Sequence, residues 1–327
     1  MGEEQEQKFH QLTEEPVSRV ISHLAVPCII SMLVTAFYNM ADTFFVGMLR
    51  SNAATGAVGV VFSMMAVIQA VGFFFGHGSG NFISRELGRR NTDSASNMAA
   101  TGFFSALFTG LLICVFGEIF LTPLAAFLGS SPTILPYAKD YLRVILIGAP
   151  WMTASLVLNN QLRFQGSAFY AMVGIASGAV LNIALDPLFI FVFDMGVRGA
   201  ALATILSQAL SCLWVLVFLF GKKSFLKIRK SSMRLRPHII LPCLALGLSV
   251  FIMQASESVI SVCFNASLLK YGGDLAVGAM TILSSVMQFA MLPLQGLGQG
   301  AQPIISYNYG AGKRDRVKKA YFLLLRA

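Results

Sequence analysis

The chain has 327 residues, of which 56% are hydrophobic and only 12% are charged, and its mean hydropathy is +0.70. A soluble domain carries about 25% charged residues, so the composition excludes a soluble globule, a disordered chain and a collagen. The net charge of +9 is therefore interpreted first as a marker of membrane topology, not as a nucleic-acid-binding surface. This composition is typical of a polytopic membrane protein.

Eight apolar segments are long enough to cross a bilayer, which requires about 20 mostly apolar residues. In chain order they are 20–44, 56–82, 98–121, 139–161, 168–192, 197–220, 239–263 and 275–299. A ninth begins near Ala320 and is cut off by the end of the chain. The first 19 residues are polar and acidic, without an apolar core before a cleavage site, so we expect the first span to be retained. The sequence predicts an all-α membrane fold.

Lysine and arginine residues are distributed unevenly between the two sides that these spans define. Eighteen of the 24 basic residues fall on the side of the N-terminus, including Arg163, which is assigned to the loop after the fourth span. Because basic loops tend to stay in the cytoplasm, the N-terminus is predicted to be cytoplasmic. We expect a multi-pass protein of the plasma membrane, with a secondary contact to anionic lipid.

A shift of 219 positions places the first span on the seventh, and three further residues inserted later keep the match. The matched positions include Gln69 with Gln288, Gly76 with Gly298, Ser84 with Ser306 and Gly88 with Gly310. Agreement at polar and glycine positions indicates an internal repeat, since many transporters are built from paired bundles.

The repeat predicts four parts: an N-terminal cytoplasmic segment (1–19), an N-lobe of six transmembrane helices (20–220), a basic cytoplasmic linker (221–238) and a partial C-lobe (239–327). A complete second lobe would bring the length to about 440 residues. We therefore expect the chain to be a truncated piece of a twelve-span protein.

A polar stripe follows one face of the first span. Its members are Thr35, Tyr38, Asn39 and Asp42, at spacing i, i+3, i+4, i+7. The seventh span repeats the stripe 219 residues later as Gln254, Glu257, Ser258 and Ser261. A hydrogen-bonded seam between helices would explain the hydroxyl groups but not the acids, because a carboxylate in a bilayer costs about 2.5–3.5 kcal/mol. The stripes are therefore predicted to line a cavity.

A second acidic motif lies in the fifth span, where Asn182 and Asp186 share a helical face and Pro187 follows. Proline lacks an N–H and frees the carbonyl of Ile183, which kinks the helix. A carboxylate, an amide oxygen and a free carbonyl are hard oxygen ligands suited to a small cation. The carboxyl group could instead carry a proton near neutral pH, and a plain proline kink is the structural alternative.

Enzyme motifs are missing from the sequence. The four histidines lack metal or catalytic spacing, and no HExxH, Gly-x-Ser-x-Gly or Walker-type loop occurs. The five cysteines lie far apart within apolar runs, so we expect core residues and not a disulfide framework. Asp42 and Asp186 could form a catalytic pair, but no nucleophile and base accompany them, so a non-enzymatic protein is predicted.

Three motifs resemble the multidrug and toxic compound extrusion (MATE) family, in its MepA-type bacterial branch. The segment from Tyr38 to Gly47 resembles the signature of its first helix, and Asn182-x-x-x-Asp186-Pro187 resembles that of its fifth. The segment from Gln302 to Gly312 resembles the loop after its eighth helix. The motifs occur in the family's order, and the resemblance extends from about residue 15 to the end of the chain.

This resemblance implies an antiporter with two six-helix lobes around a central cavity. Such proteins export cationic or amphipathic compounds in exchange for Na⁺ or H⁺, with no other cofactor and no nucleic-acid partner. Carried over by motif, the cation or proton site would comprise Asp42, Asn182, Asp186 and Thr204, with Tyr38 nearby and Glu257 as a further acid. Most of the C-lobe is missing from this sequence, which puts transport by this chain alone in question.

Two other functions remain open at this point. A flippase of lipid-linked oligosaccharide belongs to the same superfamily, but it would need cationic side chains in its cavity to hold a pyrophosphate. No Lys or Arg lies in the middle of any of the first seven predicted spans, which disfavours a flippase. A non-transporting remnant is the second alternative, because the chain lacks part of the C-lobe.

Overall fold

The computed structural model describes residues 3–49, 51–221, 226 and 237–326, without the side chains at 3, 4, 52, 237 and 238 and at many positions from 255 to 285. All regular structure in these residues is helical. The helices are α1 (Glu3–Thr13), α2 (Val17–Gly47), α3 (Asn52–Gly88), α4 (Thr92–Ile119), α5 (Leu121–Phe127), α6 (Leu135–Phe164), α7 (Ala168–Pro187), α8 (Val197–Phe220), α9 (Pro237–Gly310) and α10 (Arg314–Arg326).

Six of these helices (α2, α3, α4, α6, α7 and α8) are long and apolar enough to cross a membrane, which confirms the all-α fold and the first six predicted spans. Four of the six helices contain the whole of the predicted segment. Helix α4 ends at Ile119, two residues before the end of its predicted segment, and α7 also ends early. That helix ends at Pro187, and a π turn follows at Leu188–Val192, as expected where proline interrupts the hydrogen-bond ladder. The predicted ninth segment differs, because α10 begins at Arg314 and not near Ala320.

Helix α6 is the centre of the first six spans. Of its most apolar stretch, 72% is buried, against 28–44% in the other five. It packs against α3, α4 and α8, whereas the outward faces of its neighbours expose large apolar side chains such as Phe116, Val180 and Val217. An enclosed helix inside a ring with apolar outer faces is the arrangement that a bilayer favours.

Helix α9 is continuous in its hydrogen bonding but cannot be straight. Its 60-residue stretch from Cys243 to Gln302 would extend about 90 Å at 1.5 Å per residue. Yet Cys243 Sγ lies 3.8 Å from the Phe75 carbonyl oxygen, and Gln302 Oε1 lies 3.0 Å from His77 Nδ1. Both ends therefore contact the same turns of α3, so α9 reverses direction. We call Ile239–Gln254 its first arm and 296–310 its second arm.

The second arm crosses α3 through paired contacts. Ser84 Oγ donates to the Pro303 carbonyl at 3.0 Å, and Ser306 Oγ donates to Asn81 Oδ1 at 2.6 Å. A shift of 222 positions, which is the repeat offset after the three-residue insertion, converts each contact into the other. The two segments therefore cross about a local two-fold axis, as paired bundles do.

Two glycines allow this crossing. A Cβ atom at Gly88 would overlap the Tyr307 carbonyl, and one at Gly310 would overlap the Arg85 carbonyl. These two contacts are also related by a shift of 222 positions. Small residues at such crossings allow helix backbones to approach closely, so Gly88 and Gly310, which the repeat brings into register, each contact the other's segment.

The ends of several helices meet on one face of the molecule. Arg90 pairs with Glu6 at 3.1 Å, and Lys8 Nζ donates to Ser167 Oγ at 2.5 Å. Arg316 donates to the Glu15 carbonyl at 2.6 Å. This face contains the N-terminal segment and the loops after α3, α6 and α9, as the distribution of basic residues predicts. The basic linker lies outside the described residues, apart from Gly221, Leu226 and the start of α9.

Candidate functional site

Helices α2, α6, α7 and α8, with part of α3, enclose a cavity of about 110 Å³. At one end it is lined by Tyr38, Asn182 and Thr204, and at the other by Arg163. Its remaining polar lining comprises Ser31, Thr35, Gln69, Ser155, Asn159, Ser207, Gln208 and Ser211. One water molecule takes about 30 Å³ of liquid volume, so the cavity has room for an ion and a few waters.

We call the group of Asp42, Asn182, Asp186 and Thr204, which is the predicted cation or proton site, the acid end. Asn182 and Thr204 line the cavity, whereas Asp42 and Asp186 lie outside its lining. Asn182, Asp186 and Thr204 are almost fully buried, and Asn182 Nδ2 lies 3.4 Å from Asp186 Oδ1. Asp42 is close enough for its charge to act on Asp186. Three helices thus bring these side chains together, although they are up to 162 positions apart in the sequence.

The acid end offers oxygen acceptors that no donor satisfies. Asp42 Oδ1, Asn182 Oδ1 and Asp186 Oδ2 are buried and make no hydrogen bond. Thr204 Oγ1 donates to the Ala200 carbonyl at 3.1 Å, which leaves its lone pairs free to accept. A buried acceptor without a donor costs about 1–3 kcal/mol, so this end requires a cation, a proton or water.

The polar stripe on α2 is oriented as its spacing predicts. Thr35 and Tyr38 line the cavity, while Phe37 and Phe44, on the opposite face, are 57% and 65% exposed. Asn39 is half-buried but lies outside the cavity lining. The stripe therefore faces the interior of the protein, and the opposite face is left for lipid.

The equivalent stripe on α9 has different surroundings. Glu257 is exposed and Gln254 is half-buried. The side chains of Ser258 and Ser261 lie outside the described residues. Within the part of the chain that the structure describes, Glu257 therefore does not join the acid end.

Two neighbours of the acid end have no signal in the sequence. Tyr141 on α6 is completely buried, and its hydroxyl makes no hydrogen bond of ordinary geometry although Asp42, Asp186 and Thr204 surround it. Gln208 on α8 lies beside the Tyr38 hydroxyl. A single tyrosine or glutamine within an apolar helix is also common in plain packing, so only the folded arrangement distinguishes these two.

The assignment of Arg163 to a loop is wrong. It lies in the last turn of α6, is 5% exposed and lines the cavity. The second arm of α9 and Cys28 of α2 cover its guanidinium group. The absence of Lys and Arg from the middle of the first seven spans therefore does not keep a cationic side chain out of the cavity. One guanidinium in a small cavity is nevertheless not a site for a lipid headgroup.

Long apolar helices around an internal polar site with buried acids define a polytopic membrane transporter. The family model MatE matches residues 27–188 and 249–326, which is most of the chain. The protein therefore belongs to the MATE family.

Named relatives and solved structures agree with this assignment. The multidrug export protein MepA of Staphylococcus aureus (strain MSSA476) is 26% identical over 94% of this chain and 68% of its own length. MepA of Staphylococcus haemolyticus is 28% identical over 96% of this chain and 70% of its own. An outward-facing multidrug resistance MATE transporter has a TM-score of 0.91 at 28% identity, with 97% of this chain and 70% of that one covered.

Proposed function

We propose that the protein is a secondary antiporter that exports amphipathic or cationic organic compounds in exchange for Na⁺ or H⁺. The observation that supports this most is the acid end, where buried acceptor oxygens of Asp42, Asn182 and Asp186 converge and make no hydrogen bond. A Na⁺ ion prefers such oxygen ligands, and a proton on one carboxyl group would equally supply the missing donor. The site therefore suits an exchangeable cation better than a permanent structural contact.

The exchange is coupled to conformation through α2 and α7. Asp42 belongs to α2, and Asp186 precedes the π turn after Pro187 in α7. When the cation leaves, two carboxylates remain close together in a nonpolar environment, which is costly. A movement of α2, or a change at the π turn, would relieve this cost. The cation shifts the equilibrium by its different affinities for the two conformations.

The exported compound requires a larger space than this cavity. Drug-sized sites usually measure about 300–1,000 Å³, against about 110 Å³ here. Relatives named as multidrug export proteins support organic compounds as the cargo. Following the family resemblance, we place that cargo in the cleft between the two lobes, and only the coupling ion in the cavity.

The test uses the intact protein in lipid vesicles, with a fluorescent organic cation as cargo and either a Na⁺ or a pH gradient as the driving force. Asp42→Asn and Asp186→Asn should each reduce driven export to the rate of empty vesicles. The double variant should be little worse, because the two acids act as one unit. The gradient that drives export identifies the coupling ion.

The matched control is Asp194→Asn. Asp194 is an exposed acid with φ of 52°, a backbone conformation that asparagine also tolerates, so export should be unchanged. Full export by the double variant would refute coupling at the acid end. Loss of folded protein in both single variants would favour a structural role for the acids.

We also propose that the N-terminus lies in the cytoplasm of a plasma-membrane protein. The N-terminal segment shares one face with the loops after α3, α6 and α9, and the distribution of basic residues in the sequence predicts that this side is cytoplasmic. A reporter fused after Lys230 should be active only in its cytoplasmic form. Activity of a periplasmic reporter at this position would overturn the orientation.

A further inference from the structure

The two ends of the cavity have opposite polarity. At the acid end, every buried side-chain atom of Asp42, Asn182 and Asp186 that makes no hydrogen bond is an oxygen acceptor. At the other end the buried atoms without a partner include a donor, Arg163 Nε, together with Asn159 Oδ1 one turn earlier on α6. A cation satisfies only the first end, so the cation exchange proposed above leaves Arg163 unexplained.

Arg163 carries a buried charge without an opposite charge beside it. None of the ion pairs in the described part of the chain involves Arg163. Its partners are neutral: one guanidinium nitrogen donates to Gln299 Oε1 on the second arm, and the Cys28 thiol lies beside it. An ionised group removed from water costs several kcal/mol unless it is paired.

The surroundings of Arg163 suit a small anion. Arginine is positively charged at all relevant pH values and offers five N–H donors in a fixed plane, of which Nε–H is free here. The cavity beside it measures about 110 Å³, below the range of about 300–1,000 Å³ that drug-sized ligands occupy, so it suits a monatomic anion better than an organic acid of that size. Water alone would satisfy the N–H group but would not balance the charge.

We propose that Arg163 binds a small inorganic anion of the chloride class at the end of the cavity opposite the acid end. The anion balances the guanidinium charge where α2, α6 and the second arm meet. Its binding stabilises the arrangement in which Arg163 bridges α6 to Gln299. The site is independent of the coupling cation, because it depends on a different end of the cavity.

The experiment measures the thermal stability of the intact protein in nanodiscs of zwitterionic lipid, at constant Na⁺ concentration, as chloride replaces gluconate. Chloride should raise the Tm of the unmodified protein by about 2–5 °C, because gluconate is too large for the cavity. Arg163→Gln should abolish this response, whereas Arg163→Lys, which keeps the charge, should retain part of it.

The control variant is Arg198→Gln. Arg198 is exposed and pairs with Asp140 at 2.5 Å, so its loss should leave the chloride response intact. The proposal is overturned if the unmodified protein has the same Tm in both salts, or if Arg163→Gln responds as strongly as the unmodified protein. The first result would mean that chloride does not bind in a way that stabilises the protein. The second would mean that chloride stabilises it without binding to Arg163.

A second measurement does not depend on the folding of a variant. Crystals of the unmodified protein grown in bromide should show an anomalous scattering peak within hydrogen-bonding distance of the Arg163 guanidinium group. Bromide sites elsewhere in the crystal with none at Arg163 would overturn the proposal.

Discussion

The two stripes of the repeat, on α2 and on α9, each bear one acid, at positions that the repeat does not pair, and the two acids lie in different environments. Asp42 has a buried oxygen without a partner and lies near Asp186 and Tyr141, whereas Glu257 is exposed. The difference arises because α6, α7 and α8 enclose the acid end around α2. A repeat in sequence therefore predicts which face of a helix is polar, but the helices that pack against that face decide whether its acid is buried.

The glycines show the same distinction. Gly88 and Gly310 are equivalent in the repeat, and each contacts the backbone of the other's segment. Gly76 and Gly298 are also equivalent in the repeat. A Cβ atom at Gly76 would come within 2.8 Å of Asn160 Nδ2, whereas a Cβ atom at Gly298 would have no neighbouring atom within 4 Å. Glycines that the repeat pairs therefore make equivalent contacts where α3 and the second arm pack against each other. They make different contacts where another helix packs against only one of them.

The largest effect is expected at this crossing. Gly88→Ala and Gly310→Ala should each sharply reduce the yield of folded protein, because the added methyl group meets a backbone carbonyl that cannot move aside cheaply. Gly298→Ala is the matched control and should be neutral. Size-exclusion profiles and thermal unfolding measure the difference. Normal stability of both crossing variants would refute the two-fold contact between α3 and the second arm.

The next largest effect is expected on ion-driven export, when the acids of the two stripes are replaced in turn. Asp42→Asn should abolish ion-driven export, whereas Glu257→Gln should retain most of it, because Glu257 has no share in the acid end. Initial rates in vesicles, normalised to the amount of protein inserted, provide the measurement. If Glu257→Gln were inactive and Asp42→Asn active, coupling would belong to the α9 stripe.

A third comparison tests the two faces of α2. Single cysteines at positions 35, 38 and 42 should react with a small polar thiol reagent, whereas cysteines at 37 and 44 should not, because Phe37 and Phe44 face outward. The exposed native Cys263 must first be replaced by serine to remove background labelling. Equal labelling of both faces would reject the assignment of the stripe to a water-accessible cavity.

The smallest effect is expected on the face where the helix ends meet. His10 Nδ1 lies 2.8 Å from Glu14 Oε2, and this hydrogen bond, with the nearby charges of His10, Lys313 and Arg316, lowers the pKa of the Glu14 carboxyl. A lowered pKa in the folded state means that the contribution of Glu14 to stability is present above the ordinary glutamate range. It is lost as the pH falls through the lowered value.

Glu14→Gln should therefore lower the Tm slightly at neutral pH, and the difference from the unmodified protein should disappear in acid. Glu14 is exposed to solvent, so the effect should also weaken in high salt. A difference that stays constant from neutral pH into acid would show that the charge of Glu14 contributes nothing.

The fold could be predicted from the sequence further than the site could. The first six spans follow from apolar length, and the facing of Thr35 and Tyr38 follows from helical spacing. Burial of Arg163 could not be predicted, because a charged residue at the end of an apolar segment usually extends to the membrane surface. Here the second arm of α9, more than 130 positions away, covers it instead.

The acid end shows the same limit. The motif around Asn182 and Asp186 identifies candidate ligands on one helix face. Tyr141 adds a buried hydroxyl group from α6, and the packing of α6 against α8 brings it there. Contacts between helices distant in sequence thus decide the composition of the site.

The most direct test of a single exchange site at the acid end measures the protonation of carboxyl groups, by infrared difference spectroscopy on the intact protein in lipid. Cation exchange at this site predicts a carbonyl-stretch band of a protonated carboxyl group that disappears when the coupling cation is exchanged. Asp42→Asn and Asp186→Asn should each remove this change, while Glu257→Gln should preserve it. A band that persists unchanged in both aspartate variants, or that only Glu257→Gln removes, would contradict a single exchange site at the acid end.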